Sequence, residues 1–282
     1  MASSTPNRVW LITGCSSGFG RAFAQAVIVH GDQLVATARN VEQIAQLASA
    51  HPDQVLALAL DVTNPQQAQA TVESALNAFG HIDVLVNNAG YGLFGAFEEL
   101  SDEQIRRQIE VNLFGVMNIT RAVLPAMRAQ RSGHLLQMSS LGGQAGFPGN
   151  TAYAASKFAL EGWSEALSKE LAPFGIKVTI IEPGGFRTEW AGRSMVKATP
   201  LAIYDEVMSE RRANTEKVNG KQPGDPARAA QAIIAVVEAE QPPMRLPLGT
   251  DSASVIRQHL QQQLNELDRW ESLSHSTDFP HH

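Results

Sequence analysis

Cysteine is almost missing from this chain: Cys15 is the one thiol in 282 residues. A lone thiol excludes an intramolecular disulfide framework and fits a reducing compartment. Placed in a glycine turn, Cys15 reads as a small filler rather than a reactive group. No apolar run approaches the roughly 20 residues needed to cross a bilayer, and residues 1–7 lack the apolar stretch of a signal peptide. A cytoplasmic protein with no membrane partner is expected. Basic residues form no dense run and the net charge is −6, so no nucleic-acid surface is expected. His and Cys do not cluster at metal-ligand spacing, which leaves a zinc mechanism without support and predicts no metal. Repeats, low-complexity tracts and linkers are also lacking, so residues 1–282 read as one domain.

What remains is a chain with 44% hydrophobic residues and 22 glycines, ordinary for a soluble enzyme with a substantial core. Short apolar runs predict strands at 8–13, 33–38, 55–60, 82–86, 133–138, 176–182 and 244–248. Helical patterns lie between them near 41–50, 65–79, 101–130, 151–173 and 225–239. Strands apolar throughout and separated by helices predict an α/β fold, a doubly wound parallel sheet covered on both faces. Asn64-Pro65 and Ser101-Asp-Glu-Gln104 read as helix starts. Two segments break the rhythm. Residues 184–222, with a helical stretch near 201–214, are too long for an ordinary connection and leave the carboxyl end of a strand, so they read as a substrate lid. In the tail, 251–271, Val255, Leu260, Leu264, Leu267 and Trp270 predict an amphipathic helix packed against the domain.

Three features carry chemistry. The strand at 8–13 runs into Gly14-Cys-Ser-Ser-Gly18-Phe-Gly20 and then a helix, the context of a phosphate-binding loop. Glycines admit the ligand to the backbone, and the helix N-terminus offers free N–H groups. Tyr153 and Lys157 stand one turn apart on one helix face. An ammonium beside a phenol favours the phenolate, which would let the tyrosine exchange a proton near neutral pH. Asn112, inside an apolar helix, is a costly polar group that needs partners, which suggests a structural or relay role.

Thr13-Gly-x-x-x-Gly-x-Gly20, Asp61, Asn87-Asn-Ala-Gly90, Asn112, Ser139-Ser140, Tyr153-x-x-x-Lys157 and Pro183-Gly184 stand in the order and at the separations of one known family. The chain resembles the short-chain dehydrogenases/reductases in their single-domain, Rossmann-type form over about 8–250. The glycine turn is closest to the subgroup of hydroxysteroid and retinol dehydrogenases. The resemblance implies that Tyr153 is the general acid/base and that Lys157 stabilises its phenolate and binds the nicotinamide ribose. Ser140 would hold the substrate oxygen, with Ser139 structural, and Asn112 would support a water chain to the lysine. It assigns Gly14, Ser16, Ser17, Gly18, Phe19 and Gly20 to the dinucleotide. Val62 would cover the adenine ring, and Asn88, Ala89 and Gly90 would close the strand beside the adenine side. Pro183, Gly184 and Thr188 would lie beside the nicotinamide. Asp61 would either reach the adenine edge or cap the helix near Pro65.

Relatives that prefer NAD place an acidic residue where this chain has Ala38, and Arg39 follows with a guanidinium suited to a 2′-phosphate. NADP(H) is therefore expected over NAD(H). The presumed substrate wall draws on Leu141, Gly142, Gly143, Phe147, Pro148, Phe186, Trp190 and the Met195 region. That suits a hydrophobic ketone, aldehyde or secondary alcohol, while Arg187 and Arg193 leave an acidic substrate open. The alternative from another class is a catalytically silent NADP-sensing protein on the same fold. Relatives associate through helices equivalent to 101–130 and 151–173, which implies a homodimer or homotetramer.

Overall fold

A computed structural model describes residues 7–192 and 194–279. Residues 1–6, Arg193 and the closing His281-His282 lie outside the described residues. β1 (Val9–Ile12) buries all four of its side chains. Trp10 and Ile12 join one core while Val9 and Leu11 join the other. Side chains alternate along a strand, so a strand apolar at every position must be covered on both faces. β2 (Gln33–Ala38) repeats the division, with Leu34, Ala36 and Ala38 on the Trp10 side and Val35 opposite. β4 (Val84–Asn87) and β6 (Gly133–Met138) do the same with Val86 against Leu85 and Leu136 against Leu135. Each such Val, Leu or Ile side chain, fully buried, stabilises the fold by about 1.5–3 kcal/mol.

β3 (Val55–Ala59), β7 (Ile176–Pro183) and β9 (Arg245–Leu248) complete a seven-stranded sheet in the order β3-β2-β1-β4-β6-β7-β9, every neighbouring pair parallel. α1 (Gly18–His30), α2 (Ala45–Ala50) and α8 (Pro226–Glu238) cover the Trp10 face. α3 (Pro65–Phe79), α5 (Gly115–Gln130) and α6 (Thr151–Leu171) cover the other. This is the doubly wound α/β architecture expected above. The chain reverses direction across the sheet between β1 and β4, which opens a crevice outside their carboxyl ends, the usual ligand position in such sheets.

Helix starts follow local chemistry. Asn64 Oδ1 accepts from the Gln66 and Gln67 N–H groups, both at 3.0 Å, and Pro65 opens α3. Asn64 therefore caps α3, and the capping reading of Asp61 is corrected. Ser101 and Gln104 form a reciprocal capping box on α4 (Asp102–Ile109). The pattern over 101–130 is not one helix. A π-helical turn, Glu110–Phe114, separates α4 from α5. Asn112 lies in it and bonds the Tyr91 backbone instead of facing an apolar neighbour, a typical place for a wide turn.

Two short strands had no signal in the sequence. β5 (Gly92–Phe94) pairs in parallel with β8 (Met195–Lys197), and three residues are too few to show a period. The pair fastens the segment after β7 to the body. Within that segment α7 runs Asp205–Val218, a little later than expected. The tail helix, α9 (Thr250–His275), overruns the expected end. Its stripe is also corrected: Ser252 and Ile256 are buried, but Leu260, Leu264, Leu267 and Trp270 are each about half exposed. Only its first two turns reach the body; the helix then continues past it.

Candidate active site

The glycine turn after β1 is shaped by contacts that a side chain would destroy. Gly14 and Gly18 hold φ of +75° and +54°, a region that favours glycine. A Cβ on Gly20 would stand 2.2 Å from Gly14 O and 2.6 Å from Asn88 Nδ2. Gly20 thus lies behind the turn, not in the cavity wall, and its part is to let α1 approach. Asn88 Nδ2 donates to Thr13 O at 2.8 Å and to Gly14 O at 3.2 Å. Thr13 Oγ1 accepts from the Asn88 and Ala89 N–H groups, each at 2.9 Å. The ends of β1 and β4 are clamped together, and Ser17 gives α1 no side-chain cap. The N–H groups of its first turn are left to a ligand.

In front of this turn a cavity of about 1360 Å³ runs across the carboxyl ends of the strands. Gly14, Ser16, Ser17, Gly18 and Phe19 form its middle. Toward β2 and β3 it is bordered by Ala38, Arg39, Asp61 and Val62. Asp61 Oδ1 accepts from Thr63 N and Oγ1, and Arg107 stands 3.8 Å from its other oxygen. These donors and the Arg107 and Arg39 cations outweigh burial and hold its carboxyl below the usual range. Among the described residues Arg39 has no hydrogen bond or ion pair. Past β4 the cavity meets Asn88, Ala89, Gly90 and Asn112, and past β7 it meets Pro183, Gly184 and Thr188. Thr188 faces Gly18 across it.

Ser140, Tyr153 and Lys157 border the same cavity at the β6 end. α6 carries Tyr153 and Lys157, both buried. Lys157 Nζ lies 5.8 Å from the Tyr153 ring centroid and donates to Met138 O at 2.6 Å. Ser140, two residues past β6, is extended and accepts from Gly142 N at 3.0 Å. Its hydroxyl lies near enough to the Tyr153 phenol to lower the phenol's pKa. Burial is the larger effect and pushes Tyr153 up to about 12. The expectation of a phenolate near neutrality is therefore corrected: desolvation outweighs the lowering effect of Ser140. Burial pulls Lys157 down to about 8, opposed by Glu161 one turn along α6. Ser139 turns away and flanks Gly143 with Glu161. Asn112 joins α4, β4 and α6: Oδ1 accepts from Tyr91 N at 3.1 Å, and Nδ2 donates to Tyr91 O at 3.0 Å and Ser156 Oγ at 3.4 Å. Cys15 is buried, donates to Ile12 O, and is pushed up to about 12 by burial, as a filler should be.

Of the expected substrate wall, Leu141, Gly142, Phe147, Phe186 and Trp190 border the cavity, as does the Met195 region through Ser194 and Val196, whereas Gly143, Pro148 and Met195 itself do not. Trp190 meets Tyr153 edge-on with centroids 5.4 Å apart. Phe186 serves the core as well, packing on Phe19 at 5.0 Å. Met195 packs with Phe94 and Met208 instead. Arg187 turns away, its Nε donating to Gln222 O at 2.7 Å. Leu93, Arg211 and Asn214 also border the cavity. They lie on a short strand and on α7, and no motif marks them.

The glycine cradle, the uncapped α1 and the elongated crevice fit a dinucleotide. A family model described as short chain dehydrogenase matches residues 8–197. The chain is 39% identical over 268 residues to Oxidoreductase BOA17 of Botryotinia fuckeliana, covering 95% of this chain and 98% of that protein. The solved structure of a short-chain dehydrogenase from Streptomyces avermitilis superposes with a TM-score of 0.91 at 43% identity, covering 98% of this chain and 100% of that one. An alcohol dehydrogenase from Thermococcus sibiricus, complexed with 5-hydroxy-NADP, superposes at 0.71 with 28% identity over 86% of this chain and 95% of its own. A short-chain dehydrogenase/reductase from Burkholderia phymatum in complex with NAD superposes at 0.80 with 25% identity over 92% and 95%. With the fold, the glycine turn and these likenesses together, the chain belongs to the short-chain dehydrogenase/reductase family of oxidoreductases, whose members work with a nicotinamide cofactor.

Proposed function

We propose that the protein transfers a hydride between NADP(H) and a hydrophobic ketone, aldehyde or secondary alcohol, with Tyr153 as general acid/base. The observation that carries this reading is the meeting of the Tyr153 phenol, the Ser140 hydroxyl and the Lys157 ammonium at one end of a dinucleotide-shaped crevice. Bound nicotinamide supplies or accepts the hydride. Tyr153 donates its proton to the carbonyl oxygen in reduction and takes it back in oxidation. A phenol pushed up to about 12 is fully protonated at neutral pH, the state needed by an acid. Ser140 donates a second hydrogen bond to the same oxygen as charge develops there. Lys157 places a cation beside the phenol when the proton leaves, and Asn112 holds the wide turn packed against α6. Trp190, Leu141 and Phe147 exclude water and receive the apolar part of the substrate.

For the cofactor, the support is Ala38 in place of an acidic residue and a free Arg39 guanidinium at that end of the crevice. Gly14, Ser16, Ser17, Gly18 and Phe19 would hold the pyrophosphate, and Pro183, Gly184 and Thr188 the nicotinamide side. Asp61 and Val62 would meet the adenine. Phe114 and Phe158, half exposed on the helices equivalent to the family's subunit contacts, support a homodimer or homotetramer, whose mass light scattering gives.

The test is a panel of apolar ketones and alcohols with NADPH and NADH, run on wild type and Tyr153→Phe. That substitution removes one hydroxyl from a buried ring and should lower kcat by about 10²–10⁴-fold. Turnover within about tenfold of wild type would refute the assignment of Tyr153, and a clear preference for NADH would refute the cofactor reading.

A further inference from the structure

Arg211, on α7, is among the groups bordering the cavity that the reaction as described leaves unused. Its guanidinium carbon lies 5.6 Å from the centroid of the Phe147 ring. Its Nε is buried without a hydrogen-bond partner. Among the described residues it has no ion pair either. The next residue behaves in the opposite way: Arg212 pairs with Glu99 and, at 2.9 Å, with Asp205. Two arginines side by side on one helix thus differ in kind. One ties the helix down; the other presents an unpaired cation to the crevice.

Stacking on Phe147 does not complete the environment of Arg211. A guanidinium donates in its own plane, whereas the ring lies against its face, so the stack orients the group and leaves its donors unmet. A buried donor without an acceptor is costly, and charged donors cost more than neutral ones. Glu189 and Glu210 also border the cavity, but Glu210 is exposed at the rim and neither lies within ion-pair distance of Arg211. Thr215 is turned back, its hydroxyl donating to Arg211 O at 2.8 Å. The cavity is also bordered by Asn150, Ser194 and Asn214, but among the described residues none of them hydrogen-bonds the Arg211 side chain. The terminal N–H groups of the guanidinium, unlike its buried Nε, stay open to an acceptor carried by a ligand in the cavity.

We propose that Arg211 determines substrate specificity and that the substrate bears, besides its reacting carbonyl, an anionic oxygen group of the carboxylate type. The substrate is then amphipathic: an apolar chain against Trp190, Phe147 and Leu141, and an acid group taken by the guanidinium in a bidentate contact. This rests on the carbonyl-reduction reading above and narrows it from hydrophobic carbonyls in general to oxo acids. Arg211 acts on binding, so its removal is felt in KM more than in kcat.

The experiment uses matched sets of three: oxo acids with an apolar chain between ketone and carboxylate, their methyl esters, and the plain ketones of the same length. Each is assayed with NADPH on wild type, Arg211→Gln and Arg211→Lys. Wild type should favour the acid over its ester by about tenfold to hundredfold in kcat/KM, the worth of a hydrogen-bonded charge. Arg211→Gln should remove that preference through KM, with the ester losing less than the acid. Arg211→Lys should restore part of it. Acid and ester used equally by wild type, or a preference that survives Arg211→Gln, overturns the proposal while leaving carbonyl reduction intact. If no ketone turns over, carbonyl reduction itself fails. Calorimetric titration of acid and ester into the NADP-bound protein then decides this inference separately: binding of the acid lost in Arg211→Gln supports it, and equal binding by both proteins overturns it.

Discussion

In the floor of the crevice the side chain of Asn88 bonds Thr13 O and Gly14 O, Thr13 Oγ1 takes two backbone donors from β4, and Gly20 lets α1 close on Gly14. The roof, 184–222, hangs from a three-residue strand pair, the bonds of Arg212 and Leu201 N to Glu99 and of Tyr204 to Glu98, and a cluster of Phe94, Ala96, Met195 and Met208. α7 buries Met208 alone and leaves Val207 exposed. The floor lies between the two large cores, so its geometry is set before any ligand arrives. The roof has few buried contacts, and regions of that kind open at low free-energy cost. Chemistry common to a family needs the first, whereas a substrate must pass the second.

The largest test of this contrast is Gly20→Ala. The added methyl would meet Gly14 O at 2.2 Å, and the backbone cannot yield without opening the turn. We expect destabilisation of about 1–3 kcal/mol, as for an overpacked core, and loss of measurable nucleotide binding by calorimetry. Unchanged affinity would mean that the floor is not rigid.

Next in size is Lys157→Met. Burial lowers the lysine from 10.5 to about 8, so below pH 8 the fold carries the cost of a buried charge that the unfolded chain does not. Converted by linkage this is at most about 3 kcal/mol, reduced by about 1 kcal/mol for the lost bond to Met138 O. The variant should therefore be nearly inactive yet melt at a higher temperature at pH 7. As pH rises from about 8 to 10.5 the folded state releases the proton first, wild-type stability gains, and the difference shrinks. A variant less stable than wild type at pH 7 would contradict the buried-charge argument.

The smallest effect belongs to the roof. Arg212→Ala removes one tie of α7 while Glu99 keeps the N–H groups of Ala96 and Leu201. KM for the carbonyl substrate should rise about threefold to tenfold, the worth of a partly exposed ion pair, with nucleotide affinity unchanged. A fall in nucleotide affinity would show that floor and roof are coupled.

Much of the floor was legible beforehand because its determinants are local. The apolar runs of β1, β2, β4 and β6 announce strands covered on both faces, and Asn64-Pro65 and Ser101-x-x-Gln104 announce helix starts by capping chemistry alone. The glycine spacing and Tyr153-x-x-x-Lys157 are likewise readable at short range. Other points were not. β5 and β8 exist only because they pair with each other over some 100 residues of chain. Asp61 lost the capping role because Asn64 stands nearer the helix, a contest decided by geometry. The stripe on α9 has a helical period whether or not a surface lies opposite, so periodicity could not say that Leu260, Leu264, Leu267 and Trp270 stay exposed.

The amino-acid order alone determined the fold class, the family and the residue types able to do the chemistry, since each depends on periodicity, capping or spacing within a few turns. Only the folded chain decided which groups share an environment. It buried Tyr153 deeply enough to push its phenol up to about 12, and it separated Arg211 from Arg212, neighbours with opposite surroundings. Desolvation and unmet hydrogen bonds come from elements distant along the chain, and no local pattern encodes them.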